Sequence, residues 1–315
     1  MMDLYSIGEM VIDFTPGSEP FSYIRNAGGA PANVAFAVVK NGLEAGMCCS
    51  VGDDDFGRFL YDTIRENGVR CIKEELCAQA MTTMAFVTLF PDGDRSFTFA
   101  RKPGADMFLQ ESDVREEDIQ SSVIVHAGSC SLSASPAAEA TARAMRLGHD
   151  IGKIVSFDVN YRDVMWGGDA AACAGKVFEV LPYVDFLKIS DQEVEMMGGE
   201  AHIPSLMENF GLTLVVQTLG PDGARCYYDG KTFGCPAEKC TCVDATAAGD
   251  AFWGGFLSSL RFQGVEKPGD VTEEQIKKAL RYGNAAGGLC VQKKGAIAAL
   301  PTKEQVEASL AAGVC

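Results

Sequence analysis

A parallel β-sheet covered by helices on both faces is the fold class this sequence predicts, and three observations predict it. Short apolar runs recur at Ser122–Ala127, Ile154–Asp158, Phe186–Ser190 and Leu214–Thr218, a spacing of roughly thirty residues that matches one βα unit. Helix-like stretches such as Ala137–Leu147 lie between them, and that alternation argues for helices on both faces of a parallel sheet. The runs end in polar or glycine-bearing loops, at Gly128–Ser129, Asp158–Asn160, Ser190–Glu193 and Gly220–Gly223. In open α/β sheets ligands bind beyond the carboxyl ends of the strands, so these loops hold functional candidates, with turn chemistry and helix capping as the alternative for each.

The remaining elements follow in chain order. The opening MMDLYSIGEMVIDF reads as a first strand. Its acidic Asp3 and the lack of a basic region ahead of the apolar stretch argue against a signal peptide. The segments at 10–25 and 81–101 fall outside the βα rhythm. Met81–Phe90, Pro91–Asp94 and Arg95–Ala100 read as an antiparallel hairpin. Both segments are expected to form a small flap of strands on the main domain, a candidate lid. Gly28–Asn33 opens a helix over Val34–Lys40 that stops at Gly42, and Asp229–Gly230 joins two strand-like runs as a hairpin. The glycine-bearing turn before Asp250 opens an apolar helix over Ala251–Leu260. A last helix over Thr272–Cys290 leads to Lys294–Ala296. No linker divides the chain, so residues 1–315 are expected to form a single domain.

Composition narrows the function. Lys+Arg 27 against Asp+Glu 43 gives a net charge of −16, which repels nucleic acid and anionic membrane and requires a local positive focus for any anionic substrate. No apolar run reaches the length of a membrane span. The 12 cysteines form no paired framework, which suggests reduced thiols and a cytoplasmic setting. Cys235, Cys240 and Cys242 cluster without a nearby histidine or paired C-x-x-C spacing, so chance clustering is preferred over a metal site.

The strongest motif is Asp244–Asp250 (DATAAGD). Ala247, Ala248 and Gly249 let backbone amides at a helix start approach a phosphate. An acid at Asp250 would repel that phosphate, but it suits a base taking a proton from an attacking hydroxyl. A helix cap is the competing reading. The second motif, Gly28-Gly29-Ala30-Pro31-Ala32-Asn33, also brings small residues to a helix start. Asn33 can donate and accept, as a neutral polyol needs, and a tight strand-to-helix turn explains the motif equally well. No nucleotide loop or dinucleotide fingerprint is present. The lookalike Gly52–Phe59 lacks a Lys-Ser/Thr ending and carries three carboxylates.

Taken together, the two motifs resemble the two signatures of the ribokinase-like (PfkB) carbohydrate kinase family, in the right order and across essentially the whole chain. Gly8–Phe14, Arg95–Met107, Phe157–Trp166, Lys188–Glu193 and Lys293–Pro301 look most similar to bacterial fructokinases. The resemblance implies a three-layer α/β/α domain with a mostly parallel central sheet and a small β-sheet lid, and a homodimer through that lid. It implies an ATP-dependent kinase acting on a primary hydroxyl of a small sugar, fructose first, with Mg²⁺ and potentially K⁺. Asp250 matches the catalytic base, and Ala247, Ala248 and Gly249 the anion hole. Asp13, Gly28, Gly29 and Asn33 match sugar contacts, and Arg101 a lid-side arginine near the substrate. Lys188, Ser190, Thr218, Gly220 and Gly223 fall on the nucleotide side, and Asn284 on the adenine-side wall. Glu193 matches the acid that orders Mg²⁺ through water. Asp244 and the Lys294–Ala296 stretch resemble the surroundings of a monovalent cation.

Ala245 stands where fructokinases usually have threonine, and Ser190 where many relatives have asparagine. The first departure weakens the cation loop and leaves the base untouched. Two other functions stay open. A 2-keto-3-deoxygluconate kinase would need an arginine for the carboxylate, which Arg162 could supply, and ribokinase is a further sugar alternative. From a different class, a catalytically weak sugar sensor is favoured only by Ala245. The resemblance expects Arg101 to matter more than Arg162 for fructose.

Overall fold

The computed structural model describes residues 1–19, 21–89 and 95–313. The chain opens with β1 (Met2–Ile7), β2 (Val11–Pro16), β3 (Tyr23–Gly28), α1 (Ala30–Lys40), β4 (Ala45–Cys48), α2 (Asp55–Glu66), β5 (Arg70–Cys71), β6 (Met84–Leu89) and β7 (Arg95–Ala100). It continues through α3 (Glu116–Gln120), β8 (Ser122–Gly128), α4 (Ala137–Asp150), β9 (Ile154–Asp158), α5 (Ala170–Val180), β10 (Phe186–Ser190), α6 (Asp191–Met196) and α7 (Ile203–Phe210). It closes with β11 (Leu214–Thr218), β12 (Ala224–Tyr228), β13 (Lys231–Cys235), α8 (Ala248–Phe262), α9 (Glu273–Cys290) and α10 (Lys303–Ala311).

Among the described residues, nine strands form the central sheet in the order β13-β12-β11-β10-β9-β8-β1-β4-β5. All neighbours are parallel except at β12 and β13, which run antiparallel at one edge. Successive residues of each central strand point to opposite faces. Leu4, Ile124, Phe186 and Leu214 therefore join one core with α1, α2, α8 and α9. Tyr5, Val125, Leu187 and Val215 join the other core with α4, α5 and α7. Because both faces are buried, the strands read as unbroken apolar runs.

A second sheet of four strands, β3-β2-β6-β7, pairs β2 with β3 and β6 with β7 antiparallel, and β2 with β6 parallel. It matches the expected flap. Phe14 stacks on Phe86 at 5.0 Å between ring centroids and meets Phe56 edge-on, which fastens this sheet to α2. The hairpin turn expected at Pro91–Asp94 lies outside the described residues.

Three expectations need correction. The opening strand is two strands: Gly8, at φ 148° and packed against Pro31, ends β1, and the chain crosses to the small sheet as β2. The helices expected to begin at Val34 and Ala251 begin at Ala30 and Ala248, each inside its small-residue turn. The helix ending at Cys290 is not the last, because Thr302 and Gln305 form a capping box that starts α10. No described helix is long and apolar enough to cross a membrane.

α1 and α8 lie side by side, and a Cβ on Gly254 would come 2.5 Å from Ala37 Cβ, so only glycine permits this approach. The contact aligns the two helix N-termini next to each other at the carboxyl ends of the strands. There β1 and β8 are neighbours while the chain departs from them in opposite directions, a topological switch point of the kind that binds ligands.

Candidate active site

Two cavities open at this end of the sheet. The larger, about 830 Å³, is lined by Glu9, Asp13, Gly29 and Asn33, by Phe99 of β7, and by Cys130 and the Asn160–Met165 loop. The smaller, about 420 Å³, is lined by Lys188, Ser190, Glu193, Thr218, Gly220, Ala248 and Gly249. They share Asn160, Tyr161, Arg162, Gln192, Ala245, Ala247 and Asp250. Asp250 thus stands where the two cavities meet.

Asp250 is third in α8, 6% exposed, and its Oδ2 accepts from Asn33 Nδ2 at 2.8 Å across 217 residues of chain. Burial is the main force raising its pKa to about 6. The bond from Asn33 and the charges of Lys188 and Arg162 oppose the rise, and Asp158 adds to it. A base with that pKa is ionised at neutral pH yet still holds useful affinity for a proton. Ala247 precedes α8 in a left-handed conformation, φ 59°, a strained state for a residue with a Cβ. It turns the chain so that Ala248 and Gly249 line the smaller cavity. Ala248 N donates back to Ala245 O at 3.3 Å, while the Gly249 amide has no partner within the helix.

Removing the Asn33 bond removes one of the influences that keep Asp250 acidic. Asn33→Ala should therefore move the acid limb of the kcat/KM–pH profile from near pH 6 to higher pH. The variant should lose more activity at pH 6 than at pH 8, and a profile that keeps its midpoint would refute the coupling.

On the wall of the larger cavity, Asp13 faces inward from β2, and its pKa is raised to about 6 mainly by burial, with Arg162 opposing and Asp250 assisting. Gly28 makes room for it, because a Cβ there would overlap the Asp13 carboxylate. Gly29, φ 116°, packs against the Glu9 carbonyl, where a side chain would clash. Asn33 is 4% exposed, and its Oδ1 is buried without a hydrogen-bond partner, an acceptor available to a donor arriving in the cavity.

Arg101 does not line either cavity. Its Nε donates to Asp106 at 2.8 Å and its Nη1 to Ser133 at 3.0 Å, and its buried Nη2 lies beside Asp106 as an ion pair at 2.8 Å without a hydrogen bond. Arg162 instead lines both cavities. Arg162, not Arg101, is thus the arginine on the cavity walls: Asp106 reaches Arg101 through a local turn at Gly104, a contact that spacing alone does not disclose.

In the smaller cavity, Lys188 Nζ donates to Asp158 Oδ2 at 2.8 Å, and the two side chains are 6% and 2% exposed. Lys188 and Asp158 face each other in the register of β10 on β9. Glu193 and Ser190 form a capping box on α6. Glu193 Oε2 accepts from Ser190 N and Oε1 from Tyr161 N, each at 2.7 Å. The carboxylate is held rigidly at the cavity edge, with burial raising its pKa.

The structure does not bring every expected residue to a cavity wall. Asn284 donates to the carbonyls of Cys235 and Pro236 at 2.9 and 3.3 Å, and Gly223 packs against the same Cys235–Ala237 segment. Both shape the chain around the end of β13. Asp244 accepts from Thr246 N at 2.9 Å and from Gly295 N at 3.0 Å, tying the loop before α8 to the Lys294–Ala296 turn. In the Gly52–Phe59 lookalike, Asp54 caps α2 by accepting from Gly57 N, which explains one of its carboxylates.

Sequence reasoning passed over Glu9, Phe99, Cys130 and Asp158 as individual site residues. Asp158 and Lys188 carried a usable signal: opposite charges thirty residues apart, each inside an apolar run, sit side by side when the runs pair in parallel.

The model of the pfkB family of carbohydrate kinases matches residues 1–303. Probable fructokinase-5 of Arabidopsis thaliana is 39% identical over 315 residues, covering 95% of this chain and 94% of that protein. The crystal structure of fructokinase with bound ATP from Xylella fastidiosa superposes with a TM-score of 0.92 at 30% identity, covering 99% and 98% of the two chains. A fructokinase double mutant from Vibrio cholerae O395, in its fructose, ADP and potassium ion bound form, superposes at 0.87 and 30% identity, covering 98% of each chain.

Proposed function

The chain belongs to the pfkB family of carbohydrate kinases, and on that premise we propose that it transfers the γ-phosphoryl group of ATP to the terminal primary hydroxyl of fructose, giving fructose 6-phosphate. The observation that carries this reading is the meeting of the two cavities at Asp250. A sugar in the larger one and a nucleotide in the smaller would present hydroxyl and γ-phosphate to the same carboxylate.

In this reading Asp250 takes the hydroxyl proton as the oxygen attacks phosphorus. The amide of Gly249 and the α8 dipole, in the small-residue turn of Ala247 and Ala248, steady the charge on the transferring group. Lys188, Ser190, Thr218 and Gly220 hold the nucleotide, with Gly223 and Asn284 shaping the wall beside it. Asp13, Gly29 and Asn33 hold the sugar, and the small sheet, through Asp13 and Phe99, acts as a lid. A homodimer through that sheet fits the exposure of Phe21, Tyr23 and Ile24.

Magnesium would travel with the nucleotide and offset phosphate charge. Both Glu193 oxygens already accept N–H groups, which fits ordering the ion through water better than binding it directly. At Asp244 both oxygens likewise accept N–H groups, and Ala245 brings no hydroxyl. These residues fit a strut between two turns better than a ligand set for K⁺, and no step is assigned to that ion.

The test is a panel of sugars with ATP and Mg²⁺. Fructose should give the highest kcat/KM. Asp13→Ala should raise KM for fructose about 10- to 150-fold, equivalent to the roughly 1.5–3 kcal/mol of a hydrogen bond to a charged group, with KM for ATP nearly unchanged. The placement of Arg162 on the cavity wall favours one other reading, a sugar acid such as 2-keto-3-deoxygluconate. If that acid outperforms fructose and Arg162→Ala abolishes the preference, the fructose assignment is overturned.

A further inference from the structure

Glu9 sits in the short link between β1 and β2, beside the switch point of the central sheet. It lines the larger cavity and is 4% exposed. Its Oε1 accepts from Ala30 N at 3.2 Å, at the start of α1. Its Oε2 is buried and has no hydrogen-bond partner. Buried carboxylate oxygens are ordinarily satisfied. An orphan on a side chain that already faces a polar cavity therefore points to an external donor.

No described group donates to Oε2. Arg101 donates through Nε to Asp106 and through Nη1 to Ser133, and its Nη2, though without a hydrogen bond, is paired with Asp106 at 2.8 Å. Asp106 is itself occupied, accepting from Thr83 Oγ1 as well as from Arg101. Cys130, from the loop after β8, and Cys49, from the loop after β4, are the other titratable groups that feel Glu9.

We infer that Glu9 is a sugar-contacting residue, its Oε2 forming a hydrogen bond with a sugar hydroxyl other than the one phosphorylated. The inference rests on the reading of the larger cavity as the sugar site. Asp13 and Asn33 occupy one side of that cavity with Asp250, and Glu9 adds a further carboxyl, so the site addresses more than one hydroxyl of a polyol. Burial, helped by Asp106, raises the Glu9 pKa to about 7, against the lowering influence of its backbone hydrogen bonds and of Arg101. The carboxyl therefore passes from donor to acceptor around neutral pH, and sugar affinity should bend there.

The experiment is calorimetric titration of fructose, ribose and 2-keto-3-deoxygluconate into the full chain, without nucleotide, between pH 5.5 and 8.5. Wild type, Glu9→Gln and Glu9→Ala are compared on whichever sugar the wild type binds most tightly, and KM for ATP and kcat are measured alongside. Glu9→Ala should weaken sugar binding about 10- to 100-fold, with KM for ATP and kcat within about threefold. The wild-type affinity should change both near pH 6, where Asp13 and Asp250 titrate, and near pH 7, and Glu9→Gln should bind within a few-fold of wild type with only the change near pH 7 gone. A Glu9→Ala protein that melts earlier but binds sugar as wild type does would make Glu9 a brace for α1 and overturn the inference. Equal pH dependence in wild type and Glu9→Gln would overturn it as well. A wild type that binds none of the sugars overturns the cavity reading and, with it, the role of Glu9.

Discussion

Asp250→Asn should lower kcat by about 10²–10⁴-fold, the usual cost of losing a general base, while KM for sugar and ATP shifts by less than about threefold. The size of the effect follows from position. Asp250 is the carboxylate shared by both cavities, and asparagine keeps its shape and can still accept from Asn33. What it loses is affinity for the hydroxyl proton. The carboxyl's pKa stands above its usual value, mainly because of burial. A carboxyl raised in this way costs the folded state stability as pH rises from the unfolded value of about 4 to the folded value of about 6, and the full penalty stands at every higher pH, because the buried site disfavours the charge. The inactive asparagine variant should accordingly melt higher than wild type at pH 8, with the difference shrinking as pH falls below about 6. Turnover within a few-fold of wild type would remove Asp250 from the chemistry. A melting temperature below wild type at pH 8 would contradict the electrostatic account.

The second large effect is expected at Lys188. Lys188→Met leaves Asp158 buried at 1% exposure with its 2.8 Å partner gone. Truncating one member of a buried ion pair costs about 3–5 kcal/mol, most of it the uncompensated charge. Asp158 has little reserve, since its Oδ1 is already without a hydrogen-bond partner. The loss should appear as a lower guanidinium midpoint with an unchanged slope. Adding Asp158→Asn should recover most of it, because the double variant no longer buries the charge that Lys188 directly paired. ATP affinity should remain impaired in both proteins, since Lys188 lines the smaller cavity. Equal instability of the single and double variants would mean that Lys188 supports the fold by packing alone.

Several parts of this molecule were legible before any coordinates. β9, β10 and β11 have the bounds read from their apolar runs, because strands buried on both faces must be apolar throughout. The Asp229–Gly230 turn was legible because left-handed backbone at both positions, φ 49° and 69°, suits those two residues. The N-terminal strand was misread as one element because β1 and β2 are both apolar. Only the redirection at Gly8 separates them, and a lone glycine does not announce which sheet follows.

By itself, the sequence determined the layered α/β architecture and the two small-residue motifs at helix starts. It also placed an acid, Asp250, at a helix start whose small residues otherwise suit an anion, where anion binding alone has no electrostatic use for one. Those properties are local: they depend on side-chain periodicity and on residues within a turn of each other. The tertiary structure decided which groups meet. It brought Asn33 to Asp250 through the glycine-permitted packing of α1 on α8, and Asp158 to Lys188 through strand register. It put Arg162 on the cavity wall, drew Arg101 back to Asp106, and left one oxygen of Glu9 without a partner at the cavity. Such pairings rest on helix crossings and strand neighbours between residues distant in the chain, and no local pattern encodes them.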